Sequence, residues 1–134
     1  MKRLFFLTAI CLTLISCGDS YCLYMMSIDN KSNYDIVLNI KDIYDSGDIT
    51  TIQCPANKET IADEGWGETV KKISCEAPYI FKNDMTKIIV DEGNKRLIKD
   101  ISADNNWDCD GEKGRGRYYI KIKHTFVIHE SDIE

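Results

Sequence analysis

The chain has 134 residues, 43% hydrophobic and 29% charged, with 22 acidic against 17 basic side chains and a net charge of −5. A chain of that length buries enough surface for one modest core but not for two, so a single domain is expected. The acidic balance argues against nucleic acid or anionic headgroups as broad electrostatic partners, since both repel a surface of their own sign, while leaving room for a local basic patch.

At the N-terminus Lys2 and Arg3 precede an apolar run from Leu4 to Ile15, and Ser16 precedes Cys17. A basic start, a short apolar stretch and a small residue before a cut are the layout of a secretory signal. A membrane-crossing helix needs about twenty apolar residues, and this run is shorter. Leu14-Ile15-Ser16-Cys17 is similar at every position to the lipobox of bacterial lipoproteins. That resemblance implies a signal peptide over residues 1–16 and lipidation, with palmitate, at Cys17; a cut elsewhere would leave Cys17 an ordinary thiol. Loss of the first sixteen residues leaves 118 of the 134 and, with Lys2 and Arg3 gone, moves the charge from −5 to −7. Residues 17–21 then form the lipidated cysteine and a short tether, and 22–134 a domain held close to its membrane.

A β-like run from Cys22 to Ile28 is followed by the turn formers Asp29-Asn30-Lys31-Ser32-Asn33 and then by Tyr34, Ile36, Leu38 and Ile40 in period-two alternation. This reads as a hairpin of two strands. Asp45-Ser46-Gly47-Asp48 breaks the chain, Ile49 to Gln53 is a short strand ended by Pro55-Ala56-Asn57, and Lys58 to Ala62 suits another. Between Gly65 and Asn83 helical and strand spacings compete. Lys87–Val90 and Arg96–Ile101 read as a second hairpin, with Gly93-Asn94 supplying the positive-φ turn. Tyr118 to Ile128 closes the chain as a strand with Tyr118, Ile120, Ile122, His124 and Phe126 on one face and Tyr119, Lys121, Lys123 and Thr125 on the wetter one. About seven short strands without a sustained helical pattern indicate an all-β fold: a small antiparallel, immunoglobulin-like β-sandwich, with a small β-barrel as the alternative.

Cys22, Cys54, Cys75 and Cys109 remain in the exported domain, an even number that suggests two disulfide staples. Three pairings are open; Cys54 with Cys75 and Cys22 with Cys109 are preferred, the first because they flank one compact excursion. Without Cys-x-x-Cys or zinc spacing, a redox or metal role for these thiols is disfavoured.

Asn106-Trp107-Asp108-Cys109-Asp110-Gly111 copies the first half of a calcium loop, but Arg117 stands where the bidentate Glu belongs. A looser calcium site on Asp104, Asp108 and Asp110 is the one cofactor the chain suggests; solvated turn carboxylates are the plainer reading. Lys113, Arg115 and Arg117 lie among glycines in the 111–117 loop, either as an anion-binding loop or, more simply, as a charged hairpin tip. Trp66 between two glycines is a candidate exposed platform for a sugar ring or protein partner, whereas Trp107 is expected to cover the sandwich edge beside Cys109. His124 and His129, five apart, point to opposite faces of a strand and cannot share a metal. No Gly-x-Ser-x-Gly occurs, and abundant carboxylates alone do not make a glycosidase pair.

The lipobox, Ile28-Asp29-Asn30-Lys31-Ser32-Asn33-Tyr34-Asp35-Ile36, Asp104-Asn105-Asn106-Trp107 and the closing run from Tyr119 to Ile133 together resemble small outer-membrane lipoproteins of the Bacteroidetes type. That resemblance implies a β-rich fold and an envelope address, not an activity. Gly18 after Cys17 resembles proteins sorted to the outer membrane; the acidic cluster accompanying surface display is thin, with only Asp19. The expected function is non-enzymatic: a lipid-anchored envelope protein binding a protein or glycan. A periplasmic accessory subunit docking on a larger outer-membrane complex by an edge strand, and a small hydrolase with no visible motif, are the alternatives.

Overall fold

A computed structural model of the chain describes residues 21–41, 48–82, 86–114 and 116–134. The expected signal peptide over residues 1–16, Cys17 and Arg115 lie outside the described residues. Among the described residues seven strands form two sheets: β1 (Tyr21–Asn30), β4 (Lys58–Glu68), β6 (Trp107–Lys113) and β7 (Tyr119–Ile128) in the order β4-β1-β7-β6, and β2 (Ile36–Lys41), β3 (Ile49–Cys54) and β5 (Thr86–Val90) in the order β3-β2-β5. The sheets are separate, so the fold is a small β-sandwich and not a closed barrel. Four strands on three is the count of an immunoglobulin-like sandwich; the order, with β1 and β7 parallel at the centre of one sheet, is this chain's own.

Alternation builds the core. Met26 and Ile28 on β1, Trp107 on β6, and Phe126 and Ile128 on β7 point inward against Ile36, Leu38, Ile40 and Val90 of the smaller sheet. Trp107 is deeper than an edge cover: its ring lies 5.3 Å from both Phe81 and Phe126, and its Nε1 donates to Ile101 O at 2.8 Å. On the other face of the larger sheet, buried Ser27 donates to Glu59 Oε1 at 2.8 Å, and Lys123 pairs with the same carboxylate. Lys123 and Ser27 together hold the Glu59 carboxyl below the ordinary range.

Both expected hairpins are corrected. β1 and β2 are consecutive but lie in different sheets, because the turn-forming run at 29–33 serves as a corner. Its pivot is fully buried Asn30, whose Nδ2 donates to Tyr34 O, Cys54 O and Pro55 O at 2.8, 3.0 and 3.1 Å, while its Oδ1 accepts from Ser32 N–H and Oγ–H. The Arg96–Ile101 stretch does not pair back on β5; the bridge from Val90 to Lys95 falls just before it. Instead it meets the C-terminal tail: Arg96 N–H donates to Glu134 O and Ile98 N–H to Asp132 O, both at 2.8 Å, and the Arg96 guanidinium pairs with the Glu134 carboxylate. The turn after β5 takes its positive φ at Asp91, Glu92 and Gly93, not at Asn94.

Candidate functional site

Register places four side chains in one row across the larger sheet. Met26 lies opposite Asp63 on β4 and beside His124 on β7, and His124 lies opposite Cys109 on β6. Directly paired residues share a face, so this row sits on the inner side with Ile28 and Phe126. The smaller sheet covers that face toward Ile128. Toward the start of β1 the cover is instead the irregular segment 69–82.

That segment is fastened at three levels. Val70 O accepts the Tyr119 N–H at 2.9 Å, Cys75 is disulfide-bonded to Cys109, and Ala77 N–H donates to Asp104 Oδ1 at 2.8 Å. Gly111 lets it pack close, since a Cβ there would come 2.7 Å from Ile73 Cδ1. Beyond Cys75 a cleft of about 400 Å³ lies between the sheet and residues of the 76–80 stretch.

Tyr24, Met25, Met26 and His124 line the cleft from the sheet, Asp63 to Trp66 from the edge strand β4, and Glu76, Pro78, Tyr79 and Ile80 from the cover. Tyr24 is seated by a glycine: a Cβ at Gly67 would meet its ring at 3.0 Å. The Tyr24 hydroxyl donates to Glu68 O at 2.7 Å, and partial burial together with Cys22 and Glu68 pushes its phenol up, so it works as a neutral group. His124 Nδ1 is 3.5 Å from Cys109 Sγ, a sulfur already bonded to Cys75. Trp66 and Tyr79 stand at the mouth, 72% and 59% exposed. Asp63, Glu64 and Glu76 make the rim acidic, and among the described residues lining the cleft there is no Lys or Arg. Flat apolar faces beside carboxylates suit a ligand that is partly apolar and carries hydroxyl or cationic donors.

Trp66 is exposed, as its sequence context predicts. The calcium candidates are not gathered: Asp104 is engaged by Lys82 at 2.9 Å and by Ala77, which hold its carboxyl below the usual range, and Asp110 accepts from Gly111 N–H. Among the described residues no three His, Cys, Asp or Glu side chains form a metal-holding group. His129 lies past β7, its N–H bonded to Asp132. The preferred disulfide pairing is corrected. Cys75 joins Cys109, and Cys22 and Cys54 are buried free thiols. Cys54 O is bonded by Asn30 at the far end of β1, whereas Cys22 stands eight residues earlier, about 26 Å along the strand, so these two cannot meet.

Tyr24, Met26 and Tyr79 were not singled out by sequence reasoning, and His124 was weighed only as a metal ligand. The alternation of β1 and β7 does place Tyr24, Met26 and His124 on one face; what uncovers them is the disulfide-held course of 69–82, which has no local signal. Among the described residues no helix is long and apolar enough to cross a membrane. Comparison with protein-family models, curated proteins and solved structures finds nothing that matches this chain.

Proposed function

We propose that this is a non-enzymatic cell-envelope protein, lipid-anchored through Cys17 at the outer membrane, that binds a protein or glycan partner in the cleft between Trp66 and Tyr79. The observation that carries the reading is that cleft: Trp66 and Tyr79, both highly exposed, line a trough floored by Tyr24 and Met26 and rimmed by three carboxylates. Exposed aromatic anchors of this kind supply most of the contact energy at macromolecular interfaces and stack on sugar rings. The accessory-subunit reading draws on β4, an eleven-residue strand at one edge of its sheet and exposed over most of its length. Such an edge accepts an added strand.

A benzophenone amino acid in place of Tyr79, photoactivated in intact cells, tests the proposal. The expected result is one discrete adduct that disappears when Asp63 and Glu64 are both replaced by Lys. A probe at Tyr79 that captures nothing beyond what the same probe captures at Ile49, which is open on the smaller sheet at 66% exposure, overturns it.

A further inference from the structure

We propose that the end of the sandwich from which the N-terminal segment leaves is a seat for the lipid bilayer, with Tyr21, Trp66, Tyr118 and Ile120 entering the headgroup layer. The proposal rests on the lipid-anchor reading above and adds an orientation to it. Tyr21 begins β1, and only residues 18–20 separate it from Cys17. Four residue steps reach at most about 14 Å, so an anchored Cys17 holds this end at the membrane surface.

The register shows what else lies there. Tyr21 pairs with Glu68, Leu23 with Trp66 on one side and Lys121 on the other, and Lys121 with Glu112. Tyr118 and Ile120 flank the start of β7, which runs parallel to β1 and therefore begins at the same end. Tyr21, Trp66, Tyr118 and Ile120 are 60%, 72%, 43% and 40% exposed, an unusual density of open apolar surface for one end of a small domain.

The charge at this end runs against the chain as a whole. The bond from Tyr119 N–H to Val70 O brings Lys71 and Lys72 here, and with Lys113, Arg117 and Lys121 the described residues at this end present five exposed cations beside the carboxylates Glu68 and Glu112, with Glu64 and Asp110 two residues farther up the sheet. Lys71 and Lys113 lie over the rings of Tyr118 and Tyr119 at 5.3 and 5.0 Å. Aromatic rings interleaved with long cationic side chains match the layered chemistry of a bilayer interface: rings at the carbonyl level, ammonium and guanidinium groups reaching phosphates. Asp63 and Met26 lie three residues, about 10 Å, farther up the sheet than Trp66 and Leu23. The cleft therefore opens just above the headgroups, with Trp66 as its lower lip.

The chain has two tryptophans, and Trp107 is only 3% exposed, so emission changes on membranes report Trp66. The mature protein, purified from the cells that process it, is reconstituted in phosphatidylethanolamine–phosphatidylglycerol vesicles carrying lipids brominated near the top of the acyl chain. The expected result is co-sedimentation, at least twofold quenching of the exposed tryptophan, protection of it from iodide, and loss of the quenching in Trp66→Phe. Replacing Lys71 and Lys72 by Glu should at least halve the quenching while co-sedimentation persists. Co-sedimentation with Trp66 still open to iodide and blind to the brominated lipid overturns the seating and leaves the anchor standing. Failure to co-sediment overturns the anchor, and the seating falls with it.

Discussion

Replacing Asn30 by Asp should cost about 4–5 kcal/mol of folding stability, much of what a small domain has. The side chain is wholly buried, and its amide nitrogen is the donor for three backbone carbonyls, those of Tyr34, Cys54 and Pro55, at the corner where β1 leaves one sheet and β2 enters the other. A carboxylate of the same shape offers no donor, sets a negative charge among those carbonyl oxygens, and leaves acceptors unsatisfied at about 1–3 kcal/mol each. Asn30→Ala removes the donor without adding the charge and should lose about 3 kcal/mol. Urea unfolding of both variants gives the ranking. An Asp variant within 1 kcal/mol of the parent would show that the corner is held by something other than Asn30.

Replacing Cys75 and Cys109 together by Ser should lower stability by about 4 kcal/mol, because the bond closes a loop 34 residues long whose entropy in the unfolded chain is otherwise unrestricted. The expected drop in melting temperature is roughly 15 °C for a domain of this size. The same change frees the cover of the cleft, since Cys75 is the fastening between Val70 and Ala77. Cys22 and Cys54 supply the internal control. Burial pushes both thiols up, Cys54 to about 11, so neither should react with an alkylating reagent at pH 8 until the chain unfolds. Unfolding without reductant should then release these two thiols, with Cys75 and Cys109 recovered as one cross-linked peptide. Four free thiols in the exported protein would contradict the pairing.

What was legible in the sequence is what local periodicity encodes. The alternation of Ile36, Leu38 and Ile40, and of Ile122, His124 and Phe126, predicts half-buried strands, and both are found on the expected faces. Turn clusters and the absence of helical spacing predict a small β-sandwich, which the two sheets bear out. The glycine neighbours of Trp66 predict its exposure. Pairing between distant segments was not legible. β1 lies against β7 about a hundred residues later, in parallel, and such a contact leaves no turn signature between its partners. Lys87–Val90 and Arg96–Ile101 look like a hairpin because the turn chemistry between them is right, yet the tail at 132–134 competes for the backbone groups of Arg96 and Ile98 and holds them. β6 reads as a calcium-like loop because an edge strand facing water needs few branched residues, and Asp108, Asp110 and Gly111 meet its demands well enough. The cleft depends on all of these long-range choices at once. Its residues could be listed from the sequence only as separate strand positions, and Tyr79 and Glu76 belong to the stretch whose spacing pointed two ways.

The anchor decides how much of the functional reading stands, and the mass of the N-terminal peptide of the exported protein tests it most directly. The predicted result is a chain that begins at Cys17 and carries fatty acyl mass on it, with release of the domain from membranes in Cys17→Ala. An exported chain that begins elsewhere with an unmodified Cys17 thiol, and a domain recovered intact in the soluble fraction, would contradict it.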